Sequence, residues 1–208
     1  MKGLIIVGAG GHSRPIIATA LLQGRWCVSG VVDISFYGQK ETILDIPVLG
    51  GLKVIETFDP TLTDVFIAIG NNDERRGVYN SLEKKGYQFP SIVHPTAFIC
   101  DSAVMGKGNY VGPFAHLGPN VCVGNGNILN TSANLEHEVR VEDFSQVAPN
   151  AVICGRSQIG SCVFIGANAT VIEQLVITHG TVIGAGSVIV KDVLEPNKKF
   201  VGVPGRII

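Results

Sequence analysis

From Val93 to Ile189 every sixth residue is aliphatic or Met, seventeen positions in a row without a polar interruption. Four places after each of these leads the residue is Ala, Ser, Thr or Val in 14 of 17 cases, with Asn109, Asn127 and Leu175 the exceptions. Glycine follows the lead seven times. A step of six residues on an α-helix advances about 600°, so the apolar positions would wander around the cylinder and form no stripe. On an extended chain the lead and the residue four later face the same side, because side chains alternate with period two. The repeat therefore predicts short strands joined by tight corners, with large and small inward positions alternating.

Gly118-Pro119-Asn120 and Gly124-Asn125-Gly126 supply the corner chemistry. Three sides close a coil of 18 residues, and coils stacked about 4.8 Å apart let each backbone pair with the one below while aliphatic ladders fill the bore. Residues 93 to 194 make about 5.7 such coils. The spacing alone does not set the hand of the coil, and the general rule for parallel crossovers favours the right.

Net charge is −1, from 16 basic and 17 acidic residues without a block of one sign. That leaves no electrostatic footprint for nucleic acid or an anionic membrane. No run approaches the 18 or so apolar residues of a membrane span. Gly8 to Gly11, His12 and Arg14 interrupt the apolar start of the chain, so it reads as a strand and turn rather than a signal peptide. Five cysteines without a Cys-x-x-Cys pair point to a reducing cytoplasm.

Residues 1–90 have another rhythm and read as a small α/β unit with a parallel sheet; residues 91–208 carry the repeat and a tail. Strands are expected at Leu4 to Val7, Cys27 to Val32 and Val65 to Ile69, with helices over Ser13 to Leu22 and Asp73 to Lys85. The first strand runs into Gly8-Ala9-Gly10-Gly11-His12, where glycines allow a close turn and the next helix offers free N–H groups to phosphate. Ser13 stands where the dinucleotide fingerprint needs its third glycine, and ninety residues are too few for a whole nicotinamide fold. Asp33, ending the second strand, has the chemistry to bind a nucleotide hydroxyl or base edge. Gly70, Asn71 and Asn72 lead from the third strand into a helix, with Asn72 the expected N-cap. Both turns fall at the C-terminal sheet edge, where open α/β folds bind ligands.

This half-size unit joined to an unbroken hexapeptide repeat resembles the sugar acetyltransferases related to the bacillosamine-pathway and perosamine N-acetyltransferases and the sialic acid O-acetyltransferase. The carriers are Gly8 to His12, Ala68 to Asn72 with Arg75 and Arg76, His94-Pro95, Asn130-Thr131-Ser132, Glu136-His137-Glu138 and the tail Val201 to Arg206. The resemblance implies a left-handed parallel β-helix after a half-Rossmann-like unit. It implies a cytoplasmic homotrimer with active sites between subunits, acting in polysaccharide biosynthesis such as that of O-antigen. Acetyl-CoA is the implied co-substrate, with no metal. The acceptor is a nucleotide-linked amino sugar, a 4-amino-4,6-dideoxyhexose, with a sialic acid-type hydroxyl as the alternative.

Within that frame His137 is the expected general base, since imidazole is the side chain that ordinarily titrates near neutral pH. Glu138 is expected to hold its ring, although Glu136 is also adjacent, and Asn130 matches an active-site asparagine of the family. Gly155 follows His137 by one 18-residue coil, so its N–H is a candidate oxyanion donor. Gln146 stands where relatives carry a second histidine and, with Gly155 and Arg206, is assigned to acetyl-CoA. Gly8, Gly10, Gly11, His12, Asp33, Gly70, Asn71 and Asn72 are assigned to the nucleotide sugar. A zinc hydratase on the same prism needs converging histidines, and none stands five residues from His137.

Overall fold

The computed structural model describes residues 1–36, 38 and 41–208 and divides into two compact units, Met1–Pro95 and Thr96–Ile208. In the first unit, β1 (Lys2–Val7) is the middle of a run of parallel neighbours, between β2 (Trp26–Val32) and β5 (Thr63–Ile67). Leu4, Ile5, Ile6 and Val7 are fully buried, as a strand covered on both faces requires. The hairpin of β3 (Thr42–Ile43) and β4 (Ile46–Gly50) adds an edge in the order β3-β4-β2-β1-β5. β3 and β4 are antiparallel, so the sheet is mixed rather than wholly parallel. Leu44 and Asp45, both with positive φ, form the tight turn that joins them.

Helix α1 (Ser13–Gln23) buries Ser13, Ile16, Ile17 and Ala20, an i, i+3, i+4, i+7 stripe. It stops at Gly24, whose φ of 61° places it in the left-handed region. Helix α2 (Asn72–Glu83) buries Arg75, Tyr79 and Leu82. Its N-cap is Asn71, not Asn72: the Asn71 side chain accepts the Glu74 N–H at 3.0 Å.

The second unit is a left-handed parallel β-helix. Two-residue strands stack at a spacing of 18, as in Leu117↔Leu135, Leu135↔Ile153, Ile153↔Val171 and Val171↔Ile189 on one face. The leads from Leu117 to Ile189 are 5% exposed or less. The two inward asparagines that break the small-residue rule form a ladder. Asn109 Oδ1 accepts from the Asn127 backbone N–H at 2.7 Å, Asn127 Oδ1 from that of Ser145 at 2.7 Å, and Ser145 Oγ from that of Val163 at 2.9 Å. Burying an amide is tolerable when both its ends are bonded, and stacked identical positions provide that.

The corners have a rhythm of their own. Residues 108, 114, 120, 126, 132, 138, 144, 150, 156, 162, 168, 174, 180 and 186 all have positive φ. Most are not glycine, among them Glu138 and Arg156, and each such residue costs roughly 1–2 kcal/mol in isolation. Corner-to-corner hydrogen bonds offset that cost: Glu138 N–H donates to Pro119 O, Arg156 N–H to His137 O and Gln174 N–H to Gly155 O, at 2.8 to 3.0 Å. After the last coil, Lys199–Val201 pairs with Val182–Ile183 and turns back as Arg206–Ile207. Among the described residues no helix is long and apolar enough to cross a membrane.

Candidate active site

His137 occupies the corner between the strands Asn134–Leu135 and Arg140–Val141. Its side chain is 54% exposed. Nδ1 lies 3.1 Å from Oε2 of Glu138, and the same oxygen accepts a 2.8 Å bond from Nε of Arg156. The carboxyl of Glu138 is held below its usual range, first by the Arg156 hydrogen bond and then by that of His137. An ionised carboxylate only accepts, so in the neutral form of the ring Nδ1 carries the proton and Nε2 the lone pair. Glu136 takes a different partner, accepting from Nδ2 of Asn134 at 3.1 Å. Of the two flanking acids, Glu138 orients the ring.

One coil on, Gly155 is buried directly against the imidazole. A Cβ there would run into Nε2, Cε1 and Cδ2 of His137. No residue but glycine leaves this ring in place. Among the described residues the Gly155 N–H has no acceptor, while its carbonyl accepts from Gln174. The backbone of Gly155 therefore lies against the Nε2 side of the ring, with its N–H not engaged by another described residue. On the outer side, Asn120, Glu138, Arg140, Arg156 and Gln158 line a recess of about 300 Å³. A larger groove of about 560 Å³ lies by the tail, lined by Ile189 to Glu195 and by Arg206 among others.

Asn130 and Gln146 do not join His137 within one chain. Asn130 sits at the corner between Ile128–Leu129 and Asn134–Leu135, and its Oδ1 accepts the Thr131 N–H at 2.8 Å. Gln146 lies on another face, between Ile128 and Phe164. His116 stacks on Phe98, with ring centroids 5.1 Å apart. Among the described residues no group of three His, Cys, Asp or Glu side chains is arranged to hold a metal ion.

In the α/β unit the two loops meet. Gly8 has φ 111°, and a Cβ on it would stand 3.0 Å from Ala68 O, so the close approach requires glycine. Gly10 and Gly11 are not constrained in that way: their φ is not positive and a Cβ would meet open space. Their amides have no acceptor among the described residues. Asp33 turns inward to this loop, its Oδ1 3.4 Å from Ala9 N. Arg75 is 1% exposed and gathers the other loop, donating to Ile69 O at 2.8 Å, Gly70 O at 3.0 Å and Asn72 Oδ1 at 2.6 Å. Burial, and secondarily the Arg75 charge, pushes the His12 imidazole down to about 4.

A three-sided parallel β-helix with a carboxylate-held imidazole at an outer corner defines the hexapeptide class of acyltransferases. Comparison with known proteins agrees and narrows it. Residues 3–82 match the family described as the PglD N-terminal domain. The chain is 29% identical over 191 residues to the GDP-perosamine N-acetyltransferase of Escherichia coli O157:H7, covering 87% of this chain and 82% of that one. It superposes on a histidine-to-alanine variant of GDP-perosamine N-acetyltransferase from Caulobacter crescentus, solved with CoA and GDP-perosamine, with TM-score 0.94 and 27% identity over 100% of this chain and 97% of the other. For the acetyltransferase domain of PglB from Neisseria gonorrhoeae the TM-score is 0.93 at 28% identity, with both chains fully covered. Along its whole length the chain is thus similar in sequence and fold to sugar N-acetyltransferases, and it is an acyltransferase.

Proposed function

We propose that the protein transfers the acetyl group of acetyl-CoA to the amine of a nucleotide-linked amino sugar, a 4-amino-4,6-dideoxyhexose, with His137 as general base. The observation that carries this reading is the outward imidazole of His137, held by Glu138 through Nδ1 and packed on its Nε2 side against the backbone of Gly155. The relative from Caulobacter crescentus was solved with CoA and GDP-perosamine, and the PglB domain has a structure with acetyl coenzyme A. The first supports a nucleotide-linked amino sugar together with CoA here, and the second supports acetyl-CoA.

The sugar nitrogen attacks the thioester carbonyl, forming the C–N bond and a tetrahedral oxyanion that the Gly155 N–H stabilises. Nε2 of His137 takes the proton from nitrogen as that bond forms. The C–S bond then breaks and CoA leaves as its thiol after taking up a proton. Glu138 keeps the ring in the tautomer this requires and stabilises the imidazolium. Among the described residues the hydrogen-bond partner of the imidazole is Glu138 rather than a Ser or Cys nucleophile, which favours direct transfer.

The nucleotide end is assigned to Gly8, Gly10, Gly11, His12, Asp33, Gly70, Asn71 and Asn72, with the free amides of Gly10 and Gly11 available to phosphate. Arg206 in the tail groove meets the phosphates of acetyl-CoA. His137 stands open to water, and Asn130 and Gln146 sit on other parts of the prism. A homotrimer resolves both points, because a neighbouring copy covers the corner and contributes the distant side chains. The direct test is thiol release from acetyl-CoA with a panel of UDP-, dTDP- and GDP-linked 4-amino sugars and with sialic acid. Turnover on an amino sugar nucleotide supports the reading, and turnover on sialic acid alone replaces it with O-acetylation.

A further inference from the structure

We propose that Arg156 is a positioning residue of the acyl-transfer centre, sharing one carboxylate oxygen of Glu138 with His137 and so fixing the ring while limiting how strongly its protonated form is held. This rests on the role of His137 proposed above. Arg156 grips the corner twice. Its backbone N–H donates to the carbonyl of His137 at 3.0 Å, and its Nε donates to Oε2 of Glu138 at 2.8 Å, shorter than the 3.1 Å contact of that oxygen with Nδ1. It follows Glu138 by one coil, and both residues have a left-handed backbone, with φ of 64° and 60°. That shared conformation sends both side chains out of the same corner. Arginine is a costly residue for such a backbone, which glycine or asparagine would adopt with less strain.

Stability does not account for it. The Arg156 side chain is 60% exposed and that of Glu138 45%, and ion pairs this open contribute little to folding. The consequence falls on the proton instead. Glu138 alone would favour the imidazolium; an arginine on the same oxygen withdraws part of that charge and adds a positive one nearby. The base then releases its proton more readily after each turnover.

The charged and titratable groups around the ring are few. Its own corner carries Glu136, engaged by Asn134, and Glu138. The neighbouring strand brings Arg140, which lines the recess beside Arg156. The coil above brings Cys154, whose thiol is pushed up by burial and by Glu173 and Glu136. The coil below offers Gly118, Pro119 and Asn120, none of them charged. Arg156 is the cation that bonds the orienting acid.

The test is the pH dependence of kcat/KM for the full-length protein with acetyl-CoA and an accepted amino sugar nucleotide. In Arg156→Met the ascending limb moves up by roughly 0.5 pH unit at low salt, and the displacement shrinks as salt is added. At neutral pH kcat drops about 5- to 20-fold, the acetyl-CoA KM stays within about twofold, and the melting temperature shifts by no more than a few degrees. Arg156→Lys returns part of the limb position, because it restores the charge without the planar fork. It also carries the same measurement if the methionine variant fails to fold. A pH profile superimposable on wild type, or a rise in KM with unchanged kcat, overturns the proposal. Failure of the underlying reading looks different: His137→Ala then keeps its activity.

Discussion

The β-helix and the α/β unit satisfy their buried polar groups in opposite ways. In the β-helix the bond is passed along: Asn109 serves Asn127, Asn127 serves Ser145, and Ser145 serves Val163, each one coil from the next. In the α/β unit one guanidinium, Arg75, gathers three acceptors of a single loop and adds to the depression that burial imposes on the neighbouring His12. Repetition makes the first arrangement a scaffold on which one corner can depart from the pattern. The second concentrates a binding loop on a single buried charge. The difference teaches where substitution should be felt in chemistry, where in stability, and where hardly at all.

The largest effect is expected at the corner that departs from the pattern. Gly155→Ala drives a methyl into the His137 ring, and kcat/KM should fall by about 10²–10³-fold with the far-UV spectrum unchanged. Retained activity would show that the ring has room to move. In the α/β unit the corresponding strain is electrostatic. His12 is neutral in the folded protein down to about 4, whereas an unfolded imidazole titrates at about 6.5. Between those values the unfolded chain binds more protons, so its contribution is intact above pH 6.5 and is lost as pH falls toward 4. The loss is on the order of 3 kcal/mol. Urea unfolding of wild type and His12→Gln at pH 7 and pH 4 checks this, the variant losing less stability across the same interval.

Asn127→Ala strips the acceptor from the buried Ser145 N–H and should cost about 2–3 kcal/mol, read as a lower denaturant midpoint with activity per folded molecule preserved. The smallest effects separate two kinds of glycine. Gly8→Ala should destabilise by about 1–2 kcal/mol, since its backbone is left-handed and a Cβ would crowd Ala68 O. Gly10→Ala should stay within about 0.5 kcal/mol and act only on nucleotide-sugar KM.

The period of six made the β-helix legible, because each side of the coil repeats one hydrophobic choice and the 18-residue return follows by counting. The same count brought Gly155 over His137. It would also have brought Arg156 over Glu138, which the sequence reading passed over because a charged residue beside a glycine looks like solvent-facing surface. The hand of the coil was legible only by resemblance, since spacing is the same for both hands. In the α/β unit no repeat cross-checks the reading. The cap fell on Asn71 rather than Asn72, the edge hairpin of β3 and β4 was missed, and Gly10 and Gly11 proved free of the backbone need that Gly8 has. The cap rests on one bond, from the Glu74 N–H to Asn71, that adjacent asparagines do not distinguish by type, and a two-residue strand is too short to show a period.

The central claim is that the imidazole at this corner accepts the proton in acyl transfer, and steady-state kinetics of His137→Ala with acetyl-CoA and a nucleotide-linked amino sugar tests it most directly. The account predicts kcat/KM lower by about 10²–10⁴-fold, with acetyl-CoA binding and the unfolding midpoint both close to those of the wild-type protein. Turnover within a few-fold of wild type, from a variant with the same unfolding midpoint, would contradict it.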